Sequence, residues 1–307
     1  MDGSHMADKL IELGGYEVFG TERKLSADFP PNIAPLKDKI ELVTVDLMDS
    51  NGVSKMISDI KPDVFFHFAA ASFAGNNETP WPTIENNVKS QLHLHLAIQN
   101  AGIDPLFIIA CSGIEYGSVD PKDLPIDEQT ELKPNNMYAL SKVGQDMMGA
   151  TYSALGQKVI RVRPFNHAGH RRGGDFVESA IAKQIVAAEK GGEAVIKIGN
   201  TTPRRDWSHV TDVINAYIAL SERGKVGEVY NIGSGVSHSV QELLDTMLSY
   251  TKIKPRIETD QSKVRKVDEA DLRADISKIK KDTGWEPKKT FEEMCEDTLS
   301  WWRAQEV

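Results

Sequence analysis

Tyr138 and Lys142 stand four residues apart in the stretch Tyr-Ala-Leu-Ser-Lys. On a helix that spacing puts both side chains on one face, about one turn apart. A free phenol, with a pKa of about 10, is a poor acid at neutral pH. A neighbouring ammonium favours the phenolate and lowers that pKa, each unit corresponding to roughly 1.4 kcal/mol. The pair is therefore suited to giving and taking a proton at a carbonyl. The same spacing fits a tyrosine stem packed on an ordinary helix, and the surrounding elements have to decide between the two.

A second hydroxyl, Ser112, closes the apolar run LFIIACS at 106–112, the pattern of a strand buried on both faces of a parallel sheet. In open α/β sheets the carboxyl ends of the strands line the ligand crevice, so Ser112 is well placed for chemistry. It fits an ordinary strand-end residue equally well. Periodicity predicts further strands over 16–20, 41–47, 63–73, 158–167, 194–199 and 228–235, the last returning to the sheet. Helices are predicted over 7–13, 50–60, 82–99, 177–190, 211–222 and 241–251, with another carrying Tyr138 and Lys142 and an amphipathic one at the end of the chain. Residues 118–136 and 200–210 read as loops. His67 lies within a predicted strand and reads as a core histidine. His93 and His95 are two apart on a helix, point away from each other and do not form a metal pair.

The chain opens MDGSHM, and GSHM resembles a cleavage scar. The helix and strand that follow are the second part of a βαβ unit, whose buried first strand and glycine-rich turn are not in front of them. Either a tag replaces the native start, or Asp-Gly-Ser is native and Gly3 is the last glycine of a phosphate-binding turn; the aspartate before GSHM favours the second. At the carboxyl end of the first predicted strand come Arg23 and Lys24, where a dinucleotide's adenosine ribose would lie. An acidic residue there suits NAD, whereas this dipositive pair suits the 2′-phosphate of NADP. Two solvated loop charges are the plain alternative.

With 307 residues, 40% hydrophobic and 26% charged, the chain has the composition of a soluble enzyme with a substantial core. No apolar run is long enough to cross a bilayer and no signal-peptide pattern opens the chain, so the expected location is the cytoplasm, with no membrane partner. Cys111 and Cys295 make no disulfide framework and sit in no zinc-binding spacing, so no metal is expected. A formal charge of -9 argues against a nucleic-acid partner.

The ordered series of strand-end Ser112, YGS, Tyr138-xxx-Lys142, RPFNH, RDWSHVTDV and GWEP resembles the extended short-chain dehydrogenase/reductases acting on nucleotide sugars. Within that family it is most similar to GDP-mannose 4,6-dehydratases and GDP-4-keto-6-deoxymannose reductases. The resemblance covers almost the whole chain. It implies an α/β fold with a Rossmann-like doubly wound parallel sheet over 1–165, to which 205–235 returns. A smaller C-terminal α/β substrate domain would comprise 166–204 and 236–307. It also supports a native Asp-Gly-Ser, with the first strand and most of the glycine-rich turn missing.

By the same resemblance Tyr138 would be the acid/base, Lys142 would lower its pKa and hold the nicotinamide ribose, and Ser112 would hydrogen-bond the substrate oxygen. Asp46 and Leu47 would border the adenine, and Ala69 and Ala70 would pack along the cofactor. Asn166 would contact sugar. Lys183 and Arg205 would face the nucleotide diphosphate, with Arg265 closing from the tail; Arg171, Arg172 and Arg204 fit either that use or plain surface charge. The implied cofactor is NADP(H), with NAD(H) the alternative. The implied partners are a GDP-linked sugar and a second copy of the chain, packed through the helices around 84–100 and 137–154.

One position separates the possible reactions. A 4,6-dehydratase needs a further acid/base, which in that family lies two residues after the strand-end hydroxyl. Here CSGIEYG puts Ile114 at that place and moves the carboxylate to Glu115, which in an extended segment would face the opposite side. The expectation is an NADP-dependent reductase of a GDP-4-keto-6-deoxyhexose, with Tyr138 as proton donor. The alternatives are a GDP-mannose 4,6-dehydratase, an NAD-dependent nucleotide-sugar epimerase, or an inactive nucleotide-sugar or dinucleotide-binding protein.

Overall fold

The computed structural model describes residues 1–23, 32–71, 81–264 and 269–305. Lys24 and Arg265 lie outside the described residues. In chain order the elements of the first half are α1 (Asp2–Leu13), β1 (Phe19–Glu22), β2 (Glu41–Thr44), α2 (Ser50–Ile60), β3 (Val64–His67) and α3 (Trp81–Ile84). A π-helical turn (Glu85–Lys89) joins α3 to α4 (Ser90–Ala101), followed by β4 (Leu106–Ala110), α5 (Met137–Ala154) and β5 (Val159–Pro164). Then come β6 (Asn166–Ala168), α6 (Val177–Glu189), β7 (Val195–Ile198), β8 (Arg204–His209), α7 (Val210–Arg223) and β9 (Val229–Ile232). The chain ends with β10 (Ser237–Ser239), α8 (Val240–Ser249), β11 (Arg256–Thr259), β12 (Asp271–Leu272), α9 (Ser277–Thr283) and α10 (Phe291–Arg303).

Four parallel strands in the order β3-β4-β5-β9 form the main sheet, and β1 and β2 form a separate parallel pair. Strand β4 shows why helices cover both faces. Phe107 and Ile109 turn to one side and pack with Val53, Ile57, Leu94 and Ile98 of α2 and α4. Ile108 turns to the other and packs with Val213, Ile214 and Tyr217 of α7. Burying each such side chain contributes about 1.5–3 kcal/mol, so an uninterrupted apolar strand is stable only between two helical layers. Met6 of α1 joins the α7 side. Ser4, His5 and Met6 are buried there, which makes the GSHM stretch part of the packed structure. Among the described residues no strand precedes α1.

A second sheet is built around β8, with β10 antiparallel and β6 and β12 parallel to it; β7 and β11 form a parallel pair. Three observations differ from the sequence expectations. The strand expected at 16–20 runs instead over Phe19–Glu22. The expected loop at 200–210 contains β8, whose charged residues Arg205 and Asp206 are buried with hydrogen-bonding partners, so its polarity disguised a central strand. Ile279 and Trp285, expected in the substrate domain, pack with α7 against the main sheet.

Candidate active site

Helix α5 begins where the Asn136 side chain accepts the Ala139 N–H at 2.9 Å, satisfying one of the free donors of the first turn. This cap sets Tyr138, Lys142 and Asp146 one turn apart on the same face. Lys142 is 3% exposed, and its ammonium donates to the Ala110 carbonyl at 2.8 Å, tying α5 to the carboxyl end of β4. The Lys142 Nζ lies 5.9 Å from the centroid of the Tyr138 ring. Ser112 follows in extended backbone as the cap of a 3-10 turn (Gly113–Tyr116), with its side chain bearing on the Tyr138 phenol. Gly117 ends that turn at φ +60°, against the Lys133 carbonyl, where a Cβ would collide.

The structure thus brings Ser112, Tyr138 and Lys142 together. It differs from the expected depressed phenol. Burial pushes Tyr138 up to about 12, Glu115 and Asp2 add to the rise, and Arg172 and Ser112 oppose it. Burial also pushes Lys142 below the usual lysine range, against Cys111, Glu115 and Asp2. In the protein alone, desolvation outweighs the spacing of the two side chains.

Sequence reasoning missed two supports of this site. Asn87, in the π-helical turn, accepts the Ala71 N–H at 2.7 Å and donates to the Ala71 carbonyl at 3.2 Å and to Ser141 Oγ at 2.9 Å. It clamps the segment after β3 to the residue beside Lys142. The Asn-Asn pair inside an otherwise amphipathic helix was the available signal, since π-helical turns mark functional positions. Asp2 lies 3.2 Å from His167 Nε2, whose Nδ1 donates to the Phe165 carbonyl at 3.0 Å. Although burial opposes it, His167 holds the Asp2 carboxyl well below the usual range. No local pattern relates residues so far apart in the chain.

The expected cofactor residues stand at the carboxyl ends of β1, β2 and β3. Asp46 accepts the Met48 N–H at 2.9 Å and lies 3.7 Å from Arg23 Nε, and the Leu47 carbonyl faces His93 Nδ1 at 2.9 Å. Ala69 and Ala70 are exposed just beyond β3. Gly3 lies in the first turn of α1, where a Cβ would meet nothing. On the other side, Asn166 opens β6 and pairs with Trp207 of β8, and Lys183 of α6 sits over the Trp302 ring at 5.1 Å. Arg205 is buried and paired with Glu269 at 3.0 Å. Arg171, Arg172 and Arg204 pair with Asp8, Glu178 and Glu242 respectively, the last pair at the surface.

A doubly wound sheet with a serine at a central strand end and a tyrosine and lysine on the next helix is the arrangement of a short-chain dehydrogenase/reductase. Within that class the chain belongs to the GDP-mannose 4,6 dehydratase family, whose model matches residues 1–298. GDP-mannose 4,6 dehydratase 1 of Arabidopsis thaliana is 30% identical, with 95% of this chain and 84% of that protein covered. GDP-6-deoxy-D-mannose reductase of Pseudomonas aeruginosa is 28% identical over 85% of this chain and 86% of that protein. The solved structure of RMD from Pseudomonas aeruginosa complexed with NADPH matches at TM-score 0.80 and 27% identity, covering 87% of this chain and 91% of that one. UDP-glucose 4-epimerase of Thermotoga maritima with UDP-glucose matches at TM-score 0.86 and 28% identity, covering 99% and 96%.

Proposed function

We propose that the protein is an NADP-dependent reductase of GDP-4-keto-6-deoxymannose in which Tyr138 is the proton donor. The observation that carries this reading is the fate of the carboxylate after Ser112. The segment is a 3-10 turn rather than extended, so neighbouring side chains diverge by about a third of a turn. Glu115 is fully buried and accepts the Ser112 N–H at 2.7 Å. Ile114 packs with the apolar cluster of Tyr116, Ile126 and Phe165. Neither is set to remove a proton from a sugar carbon, whereas reduction of a ketone needs only the three groups assembled around Tyr138.

The residues fit a nicotinamide dinucleotide. Small exposed side chains at Ala69 and Ala70 leave room along the strand ends, and the Lys142 ammonium has N–H groups beyond the one donated to Ala110. Arg23, largely exposed, would take a 2′-phosphate, although Asp46 beside it keeps NAD(H) as the alternative. When bound, the reduced nicotinamide supplies a hydride to the carbonyl carbon. The Ser112 hydroxyl holds the carbonyl oxygen as negative charge develops on it, and the Tyr138 proton passes to that oxygen to give the alcohol. Lys142 stabilises the phenolate that remains until solvent returns its proton. Asn166, Lys183, Arg205 and Arg265 are proposed to hold the GDP-sugar; for Arg205 this requires exchanging the Glu269 carboxylate for phosphate oxygens.

A 4,6-dehydratase is the second reading, favoured by the match to that family and by the Arabidopsis relative. Two incubations separate them. With NADPH and GDP-4-keto-6-deoxymannose the absorbance of NADPH is expected to fall, and with GDP-mannose and NADP no keto sugar is expected. Keto-sugar formation in the second incubation overturns the reductase, and failure to bind either dinucleotide overturns both readings.

A further inference from the structure

We propose that Glu115 is a positioning residue of this site, fixing Ser112 from beneath and joining the serine turn to the helix that carries Tyr138 and Lys142. The inference rests on the reading that these three residues do the chemistry, whichever nucleotide sugar they act on. Glu115 and Ser112 form a reciprocal cap: Oε1 accepts the Ser112 N–H at 2.7 Å, and Ser112 Oγ accepts the Ile114 N–H at 3.3 Å. Glu115 thus holds the Ser112 backbone from which the serine hydroxyl projects.

Glu115 is in turn held by a buried charged network. Its Oε2 lies 3.6 Å from Arg163 Nε, which donates to Asp146 Oδ2 at 2.9 Å. Asp146 is one turn beyond Lys142 on α5 and also takes Arg161 at 2.8 Å. Arg163 donates as well to the Tyr116 hydroxyl at 2.8 Å, which donates to Asn231 of β9 at 2.7 Å. The serine turn, β5, α5 and β9 thus meet at one pair of carboxyls and two guanidinium groups, with Glu115, Asp146 and Arg163 buried. Cys111, Glu115 and Asp146 offer ligand atoms within 4.8 Å of one another, but both Asp146 oxygens are committed to arginines, which stand where a cation would be.

The carboxyl is not a saturated structural ion. Oε2 is buried and has no hydrogen-bond partner among the described residues. An ionised oxygen left so is costly, which favours the protonated acid. Burial and then Asp146 push Glu115 well above the usual carboxyl range, against Arg163, the Ser112 N–H and Lys142. When Glu115 does ionise, its charge lies close enough to raise both the Tyr138 phenol and the Lys142 ammonium. The groups facing it are Asp146, Lys142 and Tyr138 of α5, Arg163 of β5 and Cys111 at the end of β4.

The test compares wild type, Glu115→Leu and Glu115→Gln in whichever hydride-transfer direction wild type shows. Leu removes the acceptor for the Ser112 N–H. It is expected to lower kcat by about 100-fold through misplacement of the serine, with the KM for sugar and the dinucleotide affinity little changed. Gln keeps an acceptor of the same shape but cannot ionise. It is expected to restore kcat, while the alkaline limb of its kcat/KM profile moves to lower pH because the charge that holds the proton on Tyr138 is gone. Wild-type kcat in folded Glu115→Leu overturns the proposal. If that variant does not fold, a folded Glu115→Gln with kcat lowered as far as is expected of Leu overturns it instead, since Gln keeps the acceptor for the Ser112 N–H. An inactive wild type defeats the functional reading rather than this one, and is recognised because it precedes any variant.

Discussion

Tyr138, the proton donor in the proposed reaction, is raised to about 12 by its surroundings, so the protonated form persists through neutral and mildly alkaline pH. A group that donates its proton during reduction gains from that, since activity is lost only as pH rises towards the phenol's pKa. Tyr138→Phe is expected to lower kcat by about 10²–10⁴, the usual worth of a positioned acid. Dinucleotide binding, followed by protein fluorescence, should persist. Loss of binding together with kcat would instead assign Tyr138 to holding the cofactor. Tyr138, Lys142 and Ser112 were legible in the sequence because their placement is local: a helical spacing and the end of an apolar strand. Glu115 was legible as a displaced carboxylate, but its burial under Ser112 depends on Arg163 and Asp146, which only the fold supplies.

At the scale of elements, the strand that sequence periodicity passed over is β8. Five of its six residues are buried although most are polar. Asp206 shows how this is stable: it accepts the N–H groups of Ser234, Gly235 and Ala274 and the Ser234 hydroxyl. It thereby joins β8 to the turn after β9 and to the segment after β12. Asp206→Ala leaves three backbone donors without their acceptor and is expected to cost about 3 kcal/mol or more in urea unfolding. An unchanged midpoint would show that the turn finds other partners. Burial pushes the Asp206 carboxyl up to about 6 against these donors. Because the folded value lies above the unfolded one of about 3.9, the stability this proton contributes is complete below about pH 4 and lost as pH rises through about 6. Asp206→Ala should lack that slope.

For the whole molecule, the homodimer is proposed from the family resemblance, and side chains that the fold leaves outward would form its interface. On α5, Met137, Leu140 and Met147 are 46%, 46% and 44% exposed, and Leu96 of α4 is 39% exposed. The three on α5 fall at helical spacing on the face away from Lys142 and Asp146, so the helix that builds the site from within presents an apolar stripe outside. Light scattering should give twice the chain mass for wild type and close to the chain mass for Leu140→Glu with Met147→Glu. A monomeric wild type at working concentration contradicts the dimer.

Strand and helix periodicity determined the parallel α/β sheet, since an apolar run with no polar alternation is stable only when covered on both faces. Spacing and strand-end position singled out the three side chains as candidates, and the family resemblance put them in one site. The tertiary structure alone decided the environment in which they meet. Asn87 reaches Ala71 and Ser141 through a π-helical turn, Asp2 reaches His167 across the chain, and Arg205 is paired with Glu269. Burial then sets the protonation of Tyr138, Lys142 and Glu115. Sequence patterns record local period and charge, whereas desolvation and ion pairing depend on which distant groups fold against a residue.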